Sequence, residues 1–223
     1  MKVLLRGFTI GAALLAASLG PAEPCSGQVV ISEILGDPAR DWDGDSVVNF
    51  KDDEWIEIAN IGTSHAVLDS LVISDASDAF RFGFTGTLAP GAQLIVYGSE
   101  SVAWEVATGR STVGLSLNNG GDTVRLWQLA GAETLLVDEY TYAAHEAEDD
   151  RSTARMPIDG ETWLLFDAFH PWTGADAPAA TGCAPTPGED NQCPTPVQGE
   201  TWSRVKQLFR DGRSSLSASG ESR

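Results

Sequence analysis

The strongest constraint on the fold is a series of short apolar stretches, separated by turn residues, across residues 28–166. They are rich in Val, Ile, Leu and aromatic side chains, and several alternate with the period of two that is typical of half-buried β-strands. For example, Ile56 and Ile58 share one face of their stretch, whereas Glu57 lies on the other. The predicted strands are QVVISEIL, EWIEIAN, AVLDSLVISD, AFRFGF, AQLIVYGS, TVRLWQL and TLLVDEYTY.

The segments between these stretches carry the Gly, Pro, Asn and Asp residues of turns, as in LAPGAQ, LNNGGD and LAGAE. Asn119 and Gly120 predict a tight hairpin turn, because both tolerate positive φ angles. No stretch keeps the apolar spacing of an amphipathic helix until the far C-terminus. About seven strands at this spacing predict an all-β domain over residues 28–166, an immunoglobulin-like antiparallel β-sandwich.

The composition changes after Phe166. Residues 167–199 are rich in Pro, Gly and Ala without a strand pattern, which predicts an extended segment or linker. Residues 200–223 predict a short amphipathic helix followed by a disordered polar tail. One side of this helix would carry Trp202, Val205, Leu208 and Phe209. Its role stays open between attachment or sorting at the cell envelope and docking on the domain.

Residues 1–27 have the layout of a secretory signal peptide. Lys2 and Arg6 precede an apolar run, which small residues follow. The run is shorter than the roughly twenty apolar residues that cross a bilayer. Cleavage could follow Ala22 or Gly27. We therefore expect a secreted, extracellular or cell-envelope protein whose mature chain has no membrane span.

Cysteine usage agrees with export. Cys183 and Cys193 bracket the Pro-rich segment CAPTPGEDNQC, and in an oxidising compartment this short loop predicts a disulfide. A zinc site is disfavoured, because no CxxC or His partner lies nearby. Cys25 would be removed with the signal peptide or remain as an odd thiol.

The charge of the chain restricts its partners. The 32 acidic and 14 basic side chains give a formal net charge of −18 at pH 7. Such a field repels nucleic acids and anionic membrane surfaces and attracts cations. Nucleic acid is therefore excluded as a partner.

The order of several strand motifs resembles the lamin tail domain family, in particular its exported bacterial members. The motifs are VVISEIL, DEWIEIAN, LDSLVISDA, LAPGAQLIVYG and GLSLNNGGDTVRLWQLAG, with RSTARMP and PTPGEDN further on. The resemblance implies an immunoglobulin-like sandwich with a non-catalytic role in interactions. Bacterial relatives often carry an Asp-rich insert between the first two strands, where residues 41–53 lie in this chain.

This acidic insert has the spacing of a calcium loop. Counted from its first Asp, oxygen-bearing side chains occupy positions 1, 3, 5, 9 and 12, with a carbonyl available at position 7. The loop resembles those of dockerins and thrombospondin type 3 repeats, although Ser46 replaces the usual Gly and an Asp replaces the usual final Glu. The predicted Ca²⁺ ligands are Asp41, Asp43, Asp45, the Val47 carbonyl, Asn49 and Asp52. The alternative is a solvated acidic turn.

Catalytic signals are weaker. The sequence has neither HExxH nor GxSxG. Glu33 and Glu57 could form a carboxylate pair for acid–base chemistry, although rim carboxylates are commoner. We therefore expect a non-catalytic binding or cell-surface module whose partner is an unidentified protein or envelope ligand. The alternatives are a structural envelope protein with a C-terminal attachment segment, a metal-dependent hydrolase and a glycan-binding module. The sequence leaves the oligomeric state open.

Overall fold

The computed structural model of the protein describes residues 29–193, which form eleven strands, one α-helix and a 3₁₀ turn. In chain order they are β1 (Val29–Leu35), β2 (Trp55–Asn60), β3 (Ala66–Val67), β4 (Leu71–Ser74), β5 (Phe80–Gly83), β6 (Thr87–Leu88), β7 (Gln93–Tyr97), α1 (Gly98–Ala107), β8 (Gly121–Ala130), β9 (Glu133–Ala143), the 3₁₀ turn (Ala144–Glu146), β10 (Ser152–Arg155) and β11 (Trp163–Phe166).

The strands form two main antiparallel sheets. One has five strands in the order β11-β10-β1-β2-β7, and the other has four in the order β5-β4-β8-β9. Apolar side chains from both sheets form one core, which includes Ile31 and Ile58 from the first sheet and Ile73 and Leu126 from the second. Their burial explains the alternation in the sequence, and the predicted immunoglobulin-like β-sandwich is confirmed.

Two local expectations were wrong. The stretch predicted as one strand over residues 66–75 forms β3 and β4, because the chain turns where the Leu71 amide donates to the Leu68 carbonyl (2.8 Å). A tight turn does form at Asn119 and Gly120, where the Gly121 amide donates to the Asn118 carbonyl (2.9 Å), but it leads into β8 and does not join two paired strands. The long hairpin joins β8 to β9, and its turn contains Gly131 at φ +67°.

Helix α1 follows β7 directly and packs against β5. Its buried positions include Ser101 and Glu105, which are polar. The Ser101 hydroxyl donates to the Arg81 carbonyl (2.7 Å), and Glu105 accepts from the Val113 amide (2.6 Å). Because this buried face lacks a continuous apolar stripe, the sequence of α1 does not show the periodicity of an amphipathic helix.

Residues 167–193, here called the C-terminal strap, pack against the five-stranded sheet. The Thr181 amide donates to the Leu165 carbonyl (3.1 Å) beside a parallel bridge between Leu165 and Ala180. A disulfide joins Cys183 to Cys193, as predicted. These residues therefore lie on the sandwich rather than leading away from it as a linker would.

The predicted signal peptide, residues 1–27, and the predicted amphipathic helix and tail, residues 200–223, lie outside the described residues. Within residues 29–193, no helix is long and apolar enough to cross a membrane.

Candidate metal centre

The acidic loop connects β1 to β2 and brings three of the predicted ligands together. Oxygen atoms of Asp41, Asp43 and Asp45 all lie within 4.8 Å of one another. Asp41 and Asp45 are exposed and Asp43 is half-buried, so a cation could reach them from solvent. Among residues 29–193, this is the one group of at least three His, Cys, Asp or Glu side chains with such a separation.

The loop backbone folds around these carboxylates. Asp41 accepts from the amides of Gly44 and Ser46, both at 2.8 Å. Asp43 accepts from the Asp45 amide (3.1 Å), and Asp45 accepts from the Val47 amide (2.7 Å). Such side-chain to backbone bonds are typical of Asp in turns. These bonds bend the loop so that the side chains of Asp41, Asp43 and Asp45 converge.

Ser46 has a φ angle of +75°. This left-handed conformation is the one that a calcium loop normally assigns to Gly at its sixth position. The backbone therefore has the bend of such a loop despite the Ser, which stabilises the conformation less well than Gly.

The other predicted ligands lie further along the loop. The Asn49 side-chain amide donates to Asp52 (2.6 Å), so these two side chains bind each other. Asp52 is not part of the group formed by Asp41, Asp43 and Asp45. Val47 is exposed.

Sequence reasoning missed Asp53, which organises the loop from inside. Its side chain is fully buried and accepts from the amides of Trp42 (2.6 Å), Asp43 (3.0 Å) and Asn49 (2.7 Å). Asp53 lies one position beyond the offsets of a calcium loop, so the ligand spacing does not include it. Its place two residues before the buried strand β2 was the available signal.

Asp150, shortly before β10, fixes the other side of the loop. It accepts from the Ala39 amide (2.9 Å), the Arg40 guanidinium (3.0 Å) and the Trp42 indole (2.8 Å). The Trp42 ring also meets Trp55 edge-on, with ring centroids 6.0 Å apart. The loop is thus joined to the sandwich at both of its sides.

A polar cleft of about 650 Å³ adjoins the loop, and Phe50, Lys51, Glu54 and Asp122 contribute to its lining. Glu54 accepts from the Leu117 amide (3.2 Å). Burial raises the pKa of Glu54 to about 8, so this carboxyl is largely uncharged at neutral pH.

Glu33 and Glu57 are not rim carboxylates, and that interpretation was wrong. Both side chains are fully buried beneath the C-terminal strap. Glu33 accepts from the Ser152 hydroxyl and from the Thr186 hydroxyl (2.8 Å) and amide (3.1 Å). Glu57 accepts from the Ser32 hydroxyl and from the Gly188 amide, both at 2.6 Å.

Burial raises the pKa of Glu33 and of Glu57 to about 7, although their hydrogen bonds act in the opposite direction. A pKa in this range suits acid–base chemistry in general. Here, however, the strap covers both carboxyls, and their bonding partners hold the strap on the sheet. The arrangement therefore gives the pair a structural role.

Two antiparallel sheets around a single core, with an acidic loop between the first two strands, define an immunoglobulin-like β-sandwich module. The family model described as Lamin Tail Domain matches residues 22–144, just over half of the chain. The protein belongs to the lamin tail domain family. No curated protein matches the chain.

Proposed function

We propose that the protein is an exported, non-catalytic binding or cell-surface module whose acidic loop binds one Ca²⁺. The observation that carries the proposal is the convergence of Asp41, Asp43 and Asp45 within 4.8 Å. Like charges at this separation repel one another, and a divalent cation between them would reverse the sign of the interaction.

The surroundings of the three aspartates leave their negative charge without a basic side chain to balance it among the described residues. Among the described residues, none of the ion pairs involves these carboxylates. Calcium requires six to eight oxygens at about 2.4 Å. Asn49, Asp52 and the Val47 carbonyl would join the three aspartates to supply six of them. We expect modest affinity, with Kd on the order of 10⁻⁴ to 10⁻³ M as in extracellular modules.

Two further observations support export and a non-catalytic role. The disulfide between Cys183 and Cys193 is typical of proteins from oxidising compartments. Membership of the lamin tail domain family suggests a non-enzymatic module. The bound calcium would brace the loop that leads into β2, next to the polar cleft.

The test is thermal unfolding of the full chain in millimolar calcium and in chelator. Binding to the folded state alone would stabilise it by about 1 to 3 kcal/mol at about 10 mM calcium. We expect the double substitution Asp43→Asn and Asp45→Asn to abolish the calcium-dependent rise in Tm. Asn keeps an acceptor oxygen for the turn while removing the charge.

The matched control substitutes Glu133→Gln and Asp176→Asn, which are exposed positions outside the loop. It removes the same charge, so it separates specific binding from general screening. If calcium raises the Tm of the wild type and of both variants equally, or of none of them, the loop is only an acidic turn.

A further inference from the structure

An apolar groove lies at the end of the five-stranded sheet where β2 and β10 finish. It consists of two adjoining lobes of about 300 Å³ and about 490 Å³, and both are lined by Ile158 and Asp190. The smaller lobe reaches the turn after β2 at Ile61, and the larger lobe reaches Cys193. Cys193, the last described residue, therefore lines the groove itself.

The walls of the groove are preformed. The Asn191 side chain donates to the carbonyls of Ser32 (2.9 Å) and Arg155 (3.0 Å), which fixes the strap wall on the sheet. The opposite wall is a turn in which the Gly160 amide donates to the Pro157 carbonyl (2.9 Å). A binding surface that needs little ordering loses little entropy when it is occupied.

The lining defines the chemistry of an occupant. Met156, Ile158 and Ile61 supply apolar surface, and the charged lining residues are Asp159 and Asp190. Neither lobe is lined by Lys or Arg among the described residues. The groove therefore fits an apolar stripe flanked by basic side chains.

The C-terminal part of the sequence has this composition. Residues 194–223 contain five basic and three acidic side chains, whereas residues 29–193 contain seven basic and 28 acidic ones. The apolar stripe and its nearest basic neighbours are Trp202, Arg204, Val205, Lys206, Leu208, Phe209 and Arg210.

We propose that the groove binds residues 202–210 of the same chain. The apolar stripe would cover Met156 and Ile158, with Lys206 near Asp159. Eight residues separate Cys193 from Trp202, enough to span up to about 28 Å when extended. Such a short tether gives an effective concentration in the millimolar range, so weak contacts suffice. The inference does not rest on calcium or on export.

Hydrogen exchange of the purified full chain, read by mass spectrometry, tests the proposal from both sides of the contact. We expect Leu208→Asp with Phe209→Asp to speed exchange of the groove amides at residues 158–160 and 191–193 at least tenfold. The control places two charges in the same tail away from the stripe, Ser215→Asp with Ser217→Asp, and should leave this exchange unchanged.

The reciprocal variant alters the groove. Ile158→Asp should speed exchange of residues 202–210 at least tenfold, whereas Leu135→Asp, at a half-exposed position on β9, should not. Reversing the charges tests the proposed pair of Asp159 and Lys206. Asp159→Lys alone should speed exchange of residues 202–210, and Asp159→Lys with Lys206→Glu should restore their protection.

Unchanged exchange at the groove in the tail variant, or unchanged exchange of residues 202–210 in the Ile158→Asp variant, overturns the proposal. It is also overturned if residues 202–210 exchange at the rate of a free peptide in the wild type. That outcome, combined with loss of envelope association in the tail variant, would assign the segment to attachment instead.

Discussion

Glu33 on β1 and Glu57 on β2 are directly opposite each other across the two strands, and both side chains are fully buried. Within the described residues, the ion pairs include neither of them. Like charges at directly opposed positions destabilise a sheet. The pair is therefore tolerated because at least part of it is protonated and because Thr186 and Gly188 of the strap donate to it.

We expect this pair to make stability depend on pH. The pKa of each carboxyl is about 7 in the folded protein and close to 4.5 when unfolded. Between these values the unfolded state binds fewer protons than the folded state, so the free energy of unfolding falls as pH rises from about 4.5 through about 7. The loss is up to about 3 kcal/mol for each carboxyl. Urea unfolding at a series of pH values from 4.5 to 8 measures this decrease in the free energy of unfolding.

The control for this prediction is Glu33→Gln with Glu57→Gln. These substitutions remove both titrations and keep acceptor oxygens for the strap. We expect the decrease in this window to become shallower. The residual decrease, which extends from about pH 4.5 to about 8, belongs to Glu54 and disappears when Glu54→Gln is added. An unchanged slope in the Glu33→Gln, Glu57→Gln variant would show that the pair titrates normally.

Asp53 and Asp52 are adjacent, but we expect their substitutions to affect different properties, namely the stability of the fold for Asp53 and the response to calcium for Asp52. Asp53→Asn disrupts the set of three amide bonds to a buried carboxylate, so it should destabilise the fold by about 1 to 3 kcal/mol without calcium. Asp52→Asn should cost less than about 1 kcal/mol in chelator and weaken the calcium response. Urea unfolding and calcium titration separate the two effects, and equal destabilisation in chelator would contradict the assignment.

Gly98, at the start of α1, makes a close approach to the acidic loop. A Cβ atom at this position would lie 1.8 Å from the Lys51 carbonyl oxygen, which is backbone and cannot move freely. We expect Gly98→Ala to destabilise the fold by about 2 kcal/mol or more, because the helix and the loop would have to separate. Ser99→Ala, which keeps the bond from the Ser99 amide to the Asp52 carbonyl, is the matched control. Thermal unfolding measures the stability of both variants. A Gly98→Ala variant with the Tm of the wild type would show that the close approach to Lys51 does not limit the side chain at this position.

The prediction of strands succeeded where one face of a strand is apolar and the other polar. β10 was not among the predicted strands, because its residues Ser152, Thr153 and Arg155 are polar although all are buried. Ser152 and Arg155 bind Glu33 and the Ile31 carbonyl, partners that are distant in the sequence. Local hydropathy carries no information about such bonds.

In the candidate metal centre too, some residues were predictable from local sequence spacing and others were not. The spacing of Asp41, Asp43 and Asp45 predicted that they converge, since a turn brings alternate residues to one side within a few positions. The anchoring roles of Asp53 and Asp150 were not predicted. Asp150 meets Ala39 across 111 positions of sequence, a separation that no local pattern records.

The sequence by itself determined the β-sandwich, the acidic loop and the disulfide, because each depends on periodicity or spacing within one short segment. Only the tertiary structure decided that Glu33 faces Glu57 and that Thr186, 153 positions further on, covers Glu33. Strand register and the path of the strap set these contacts. The energy that fixes them comes from burying the whole sheet, so the residues concerned carry no separate signal in their own neighbourhood.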